Sequence, residues 1–172
     1  LVPNWVDTER IRPLPGESPL RAELGYDRDE VVALYSGNLG AKQGLDAVAA
    51  SARRLRDHDH LRFLICGEGP ARDDLERSTR DIDHVQFIPL QPDDRFNELL
   101  NAADIHLVPQ RADADGLVMP SKVTGILACG GRILATCASS SELGEVVSDV
   151  GGRICEPESP EAFATALIDL AD

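Results

Sequence analysis

Apolar positions along the chain gather into six short runs separated by amphipathic stretches. The first run, VVALY at 31–35, is apolar at every position, as a strand buried on both faces of a parallel sheet requires. Behind it Leu45, Val48, Ala49, Ala52 and Leu55 recur at the spacing of one helical face. The same alternation continues to the end. LRFLIC at 61–66 predicts a second strand, 85–88 a short third, 105–109 a fourth, 132–136 a fifth and 152–155 a sixth. GEGP turns the second strand into a helix with Pro70 in its first turn and Asp73, Asp74 and Glu76 near its positive end. Phe96, Leu99, Leu100 and Ala103 mark another helical face, with Asp93 or Asp94 as its cap. Ser121 is expected to cap a helix through KVTGILA that stops at Gly130 and Gly131. Ser139, Ser140 and Ser141 form a capping run for a short helix. Ser159 caps the last one, with Pro160 in its first turn and Phe163, Ala166, Leu167 and Leu170 packing inward.

Six alternations of strand and helix imply an α/β fold: a Rossmann-like, doubly wound, parallel six-stranded sheet with right-handed crossovers on both faces. That domain is expected over 31–172. The first 30 residues read differently, since Pro3, Pro13, Pro15 and Pro19 among many charges describe an irregular interdomain linker with a short helical turn near 20–24. In sheets of this kind ligands bind beyond the carboxyl ends of the strands, where strand order reverses. The turn after the first strand, the end of the fourth strand and the ADADGLVMPSK loop should therefore share one crevice.

The turn after the first strand reads SGNLGAKQG. Gly37, Gly40 and Gly44 let backbone N–H groups face a ligand, the following helix offers its positive end, and Lys42 adds a full charge. This is an anion site in outline. It is neither a G-x-x-x-x-G-K-[ST] loop nor G-x-G-x-x-G, which argues against a Walker-type nucleotide triphosphatase and against the dinucleotide fingerprint.

Composition narrows the field. At 172 residues the chain suits one domain with a sizeable core. Thirty acidic against 17 basic side chains, a net charge of -13, argue against nucleic acid or an anionic membrane as general partner. Cys66, Cys129, Cys137 and Cys155 lack metal-site spacing and sit in or beside apolar runs, as buried free thiols do in a reducing cytoplasm. His58, His60, His84 and His106 show no ligand spacing and are expected at the surface or at strand ends. No stretch approaches the roughly 20 apolar residues of a membrane span, and the opening at Leu1 without Met suggests a fragment of a longer polypeptide.

Taken together the motifs resemble the C-terminal, donor-binding half of group 1 (family four) nucleotide-sugar glycosyltransferases of GT-B architecture, over nearly the whole chain. LVPNWVDTERIRP is similar to the family's I-P-N-G-V-D segment, SGNLGAKQG to its G-R-x-x-x-x-K-G turn, and FLICGEGPARDDLE to its second strand and G-x-G-P turn. VQFIPLQPDDRFNELLNAADIHLVP resembles its F-x-G-x-v-P…L-x-x-A-D block, and GILACGGRILAT stands where E-A-M-A-C-G-x-P-V-V-A-T is expected. Within the family the PSK of Lys122 is similar to capsule, exopolysaccharide and colanic-acid-type transferases.

The resemblance implies a nucleotide-sugar donor whose diphosphate is held by Lys42, Lys122 and amides near Gly37, Asn38, Gly116, Leu117 and Val118, with Ile88, Pro89 and Leu90 framing the base. It implies no metal and no cofactor. It further implies retention of configuration and a saccharide or lipid-linked acceptor in surface polysaccharide synthesis. An N-terminal acceptor domain outside this chain would carry most catalytic groups, so the chain alone should bind nucleotide weakly and turn over nothing. Location would be cytoplasmic, or peripheral at the inner membrane in the full-length protein. The chain departs from the pattern in places. Asn38 replaces the arginine beside the phosphate lysine, and Gly125 stands where the ribose-binding glutamate belongs. In a shifted register Asp113 falls near the first glutamate, so Asp113 or Asp115 would touch the donor sugar. Two readings from other classes stay open: an NAD-binding domain, for which Glu68 after the second strand is the ribose acid, and a non-catalytic α/β binding module.

Overall fold

The computed structural model describes residues 5–114 and 119–172, apart from the side chains of Lys42 and Ala114. Six strands, β1 (Val31–Ser36), β2 (Leu61–Cys66), β3 (Val85–Ile88), β4 (Ile105–Val108), β5 (Arg132–Thr136) and β6 (Arg153–Cys155), form one sheet with every pairing parallel. Their order is β3-β2-β1-β4-β5-β6. The chain winds outward from β1 to β3, then crosses back to lay β4 against the other side of β1. The expected reversal of strand order therefore lies between β1 and β4.

Side-chain alternation along the strands divides the core into layers. Ala33 and Tyr35 of β1, with Phe63 and Ile65 of β2, face a layer made by α2 (Leu45–Arg54), α3 (Arg72–Thr79) and α7 (Pro160–Ala171). Val32 and Leu34 face the opposite layer, where α1 (Pro19–Leu24) supplies Leu20 and α4 (Phe96–Asn101) supplies Leu99. Under the far half of that layer Ile133 and Ala135 of β5 meet Val123 and Ile126 of α5 (Lys122–Ala128), and Leu143 and Val147 of α6 (Glu142–Asp149). Each fully enclosed Phe or Leu contributes about 1.5–3 kcal/mol relative to exposure, so β1, buried from Val32 to Ser36, anchors the whole sheet.

The leading segment is tied down rather than loose. Ser18 caps α1 by accepting from Leu20 N–H, Pro19 takes the first helical position, and Gly25 (φ +80°) closes the helix. Asn97 and Asn101 of α4 accept the backbone N–H groups of Arg12 and Leu14, both at 2.9 Å.

Several local expectations are corrected. Neither Asp93 nor Asp94 caps α4: the cap position is Arg95, in helical conformation and with no side-chain bond. Ser121 precedes α5 in the same conformation, so its hydroxyl cannot reach forward; instead Thr124 donates to the Ser121 carbonyl. Pro70 precedes α3 and lies outside it. Lys42 belongs to a separate 3₁₀ turn, Ala41–Gln43, because Gly44 (φ +63°) interrupts the path into α2. His84, at the entrance to β3, and His106, within β4, are both buried, and Cys155 is only partly covered, while Cys66, Cys129 and Cys137 are buried and not disulfide-bonded. Ser141 and Ser159 do cap α6 and α7, accepting from Gly144 and Ala162.

Candidate functional site

A cleft of about 900 Å³ opens at the carboxyl ends of the strands, over the β1/β4 reversal. Tyr35 and Ser36 form its floor, Gly37 and Asn38 one side, and Lys122, Thr124 and Gly125 of α5 the other. Leu90 and Gln91, beyond β3, close one end, and Trp5 of the leading segment stands exposed at the rim. A second, nearly apolar gap of about 10 Å³ between α2, α3 and the sheet is a packing space, its one polar side chain, Thr79, already bonded to the Leu75 carbonyl.

Two glycine turns laid against each other build the side next to β1. Gly37 N–H donates to the Cys66 carbonyl and Leu39 N–H to the Glu68 carbonyl, both at 2.9 Å, and Ala71 N–H returns to the Leu39 carbonyl. This contact is close enough to demand glycine on the β2 side. A Cβ on Gly67 would run into the Gly37 carbonyl oxygen, and one on Gly69 (φ +153°) would lie 2.5 Å from that of Leu39. Gly37 itself has φ +136°, which holds the turn open towards α5. Arg72 fastens the neighbouring strand ends, donating to the Gly67 and Ile88 carbonyls while its Nε meets Glu76 at 2.8 Å.

Across the reversal, Thr136 Oγ1 accepts from Gln110 N–H and donates to the Gln110 carbonyl, each at 2.7 Å. That double bond fixes where the chain leaves β4 and leaves Gln110 on the cleft wall. Lys122 then projects from the first position of α5 onto β1. Its Nζ stands 3.8 Å from the centroid of the Tyr35 ring, and a Cβ on Gly37 would be 3.4 Å from it. Burial pushes this ammonium down to about 8, with no charged neighbour contributing among the described residues. A cation enclosed against a glycine turn, with no carboxylate beside it among the described residues, is arranged to receive an anion.

The cleft thus brings together Gly37, Asn38, Leu90, Lys122 and Gly125 from the expected set. Lys42 lies on the adjoining 3₁₀ turn. Ile88 and Pro89 are not on the wall: the Ile88 side chain is in the core, its carbonyl accepts from Arg72, and the Pro89 carbonyl accepts from Gln91 Nε2 at 3.0 Å. Asp113 is exposed and paired with Arg111 at 3.5 Å, which also meets Glu158. Asp115, Gly116, Leu117 and Val118 lie outside the described residues. Among the described residues no cluster of three or more His, Cys, Asp or Glu could hold a metal ion, and no helix is long and apolar enough to cross a membrane.

The family model for glycosyl transferases of group 1 matches residues 30–172. The chain belongs to that family. A putative colanic acid biosynthesis glycosyl transferase, WcaI of Escherichia coli K12, is 39% identical over 171 residues, covering 96% of this chain and 42% of the relative. A D-inositol 3-phosphate glycosyltransferase of Acidothermus cellulolyticus is 32% identical over 189 residues, covering all of this chain and 40% of the relative. The chain thus spans about four tenths of the length of these curated relatives. Among solved structures, the C-terminal domain of a group 1 glycosyl transferase, LpcC of Francisella tularensis, superposes with TM-score 0.76 at 19% identity, over 96% of this chain and 87% of that one. Anabaena HepE, solved in complex with UDP and glucose, superposes with TM-score 0.73 at 17% identity, over 93% of this chain and 44% of that one. The Rossmann-like sheet is thus a GT-B glycosyltransferase lobe in fold.

For a group 1 glycosyl transferase lobe, sequence reasoning overlooked Tyr35, Gln110 and Thr124 on the cleft wall. In the sequence Tyr35 reads as one more apolar strand residue. Its position at the carboxyl end of a central parallel strand, with a polar tip, was the available signal.

Proposed function

We propose that this chain is the donor-binding half of a retaining glycosyltransferase, moving a sugar from a nucleoside-diphosphate donor to a saccharide or lipid-linked acceptor in surface polysaccharide synthesis. The observation that carries the reading is the enclosed Lys122 ammonium, without a carboxylate partner among the described residues, facing the Gly37 turn at the strand-order reversal. Glycosyl transfer leaves a nucleoside diphosphate, whose developing negative charge needs fixed donors in a sheltered site. Lys122 and Lys42, with the amides of the Gly37 turn and of Gly116, Leu117 and Val118, would supply them. Asn38 would add a hydrogen bond where the family pattern has an arginine. The base would lie along Leu90, and ribose beside Gly125, which offers no carboxylate. Asp113 and Asp115 remain the acidic residues assigned to the donor sugar.

The names of the relatives support the class of reaction, colanic acid biosynthesis for WcaI and UDP with glucose for HepE. An N-terminal acceptor lobe would complete the enzyme and carry the groups acting at the anomeric carbon. Titration of the chain with UDP, GDP, ADP and NAD in a calorimeter tests the reading. At least one nucleoside diphosphate should bind more tightly than NAD. Preference for NAD, or no binding by any of the four, would overturn it.

A further inference from the structure

Tyr35 has no exposed surface, yet both of its polar features are turned to the cleft. Its hydroxyl donates to the Asn38 carbonyl at 2.7 Å, and its ring face carries Lys122 Nζ at 3.8 Å from the centroid. One side chain therefore touches both shores of the β1/β4 reversal, the turn after β1 and the start of α5. An ammonium removed from water needs negative potential nearby. Among the described residues Lys122 has no ion pair and no hydrogen bond, so the negative face of the Tyr35 ring is its electrostatic partner.

We propose that Tyr35 is a positioning residue for the donor: its ring keeps the Lys122 ammonium charged and in place while the site is empty, and yields it to the diphosphate when the donor arrives. The inference rests on the donor-site reading above. It has a specific consequence for pH. A bound diphosphate favours the charged amine, whereas in the empty site burial lets the proton leave near pH 8. Donor affinity therefore falls as pH rises through that region, and binding there takes up a proton. The ring raises the empty-site proton affinity, so its removal moves the decline to lower pH by about one unit, the size of a partly desolvated cation–π contact.

Other titratable groups on the cleft are Cys66 on β2, whose thiol burial pushes up, Asp93 ahead of α4 at the rim, and the Tyr35 phenol, also pushed up by burial. Lys42 stands on the adjoining turn. A Lys122→Met variant registers what these groups and the nucleotide itself contribute.

The test is UDP affinity by calorimetry from about pH 6.5 to about pH 9.5 for the chain as given and for Tyr35→Phe, Tyr35→Leu and Lys122→Met. The unaltered chain and Tyr35→Phe, which keeps the ring, should share a decline centred near pH 8. Tyr35→Leu should decline about one unit lower, and Lys122→Met should lack this decline. Should Tyr35→Leu not fold, Tyr35→Met keeps the bulk without the ring and carries the same expectation. A ring-less variant weakened by one factor at every pH, with its midpoint unmoved, would reveal a merely structural tyrosine and overturn the inference. So would a pH-independent affinity in the unaltered chain. Where GDP or ADP binds in place of UDP, the same series is run with that nucleotide; absence of binding by UDP, GDP and ADP alike at every pH would instead sink the donor-site reading, and the inference with it.

Discussion

The Arg21 guanidinium meets the Asp104 carboxylate at 2.8 Å, and the same carboxylate oxygen accepts the backbone N–H of Val32 at 2.8 Å. This pair joins α1, β1 and the head of β4 at the end of the sheet away from the cleft. Arg21 also donates to the carbonyls of Ala102, Asp27 and Glu30, so a nearly fully buried cation closes the floor beneath the leading segment.

Removal of that cation leaves Asp104 and three carbonyls short of a donor. Arg21 is buried while Asp104 keeps 34% of its side chain exposed, so losing the charged hydrogen bonds costs about 1.5–3 kcal/mol, and Arg21→Met should lower the urea midpoint by the corresponding amount. UDP affinity of the folded variant should stay within about twofold, because the pair lies at the opposite end of the strands. A stable Arg21→Met protein would show that the charge is dispensable.

His106, on β4, is buried against Gly131 with Nε2 unpartnered among the described residues, and burial pushes it down to about 4. The unfolded chain binds that proton near 6.5, so between the two values the unfolded state holds more protons and folding weakens as pH falls. The contribution is fully present above about pH 6.5 and costs about 3 kcal/mol by pH 4. His84, also lowered by burial, acts in the same direction. Denaturant midpoints from neutral pH to pH 4 should fall less steeply in His106→Gln than in the unaltered chain, and identical slopes would exclude this histidine as the cause.

Gly67 allows the β2 turn to lie against Gly37. Because a Cβ there collides with backbone and not with a movable side chain, Gly67→Ala must displace one of the two turns. The variant is expected to lose about 2 kcal/mol of stability and to bind UDP at least tenfold more weakly. Unaltered UDP affinity in a folded Gly67→Ala chain would argue that the Gly37 turn takes no part in holding the ligand.

The sheet was legible because its signals are local. Apolar runs such as 61–66 and the helical face of Leu45, Val48 and Ala52 reappear where patterning puts them. Ser141 and Ser159 followed the same logic, since an extended residue ahead of a helix needs only its own hydroxyl. Asp93 and Ser121 failed because backbone conformation at a helix entrance is set by the preceding loop, here turns closed by the Pro92 and Pro120 carbonyls. The site was partly legible. Lys122 and Gly37 lie at strand and helix ends that topology brings together, whereas the Tyr35 contact depends on the distance between β1 and α5, which no spacing in one segment encodes.

Lys42 carries the remaining charge assigned to the phosphates. It stands on the 3₁₀ turn between Gly40 and Gly44, and the positive φ of Gly44 keeps that turn separate from α2. A hydrogen bond to a charged group contributes about 1.5–3 kcal/mol, so Lys42→Ala should weaken UDP binding by that amount with little change in unfolding midpoint. Calorimetry on the variant decides. Affinity equal to that of the unaltered chain would leave Lys122 as the phosphate cation and remove Lys42 from the site.

Gly125 sits inside α5, where glycine is an unfavourable residue, and it lines the cleft. A Cβ there would meet only Leu100 Cδ1, at 3.6 Å, an ordinary contact. Gly125→Ala should therefore stabilise the chain by about 0.5–1 kcal/mol through the helix alone. If the glycine merely leaves room that a carboxylate fills in the family pattern, the added methyl should leave UDP affinity within about twofold. A larger loss, alongside the gain in stability, would mean that the ribose lies directly against the Gly125 backbone and that the missing side chain is itself the binding surface.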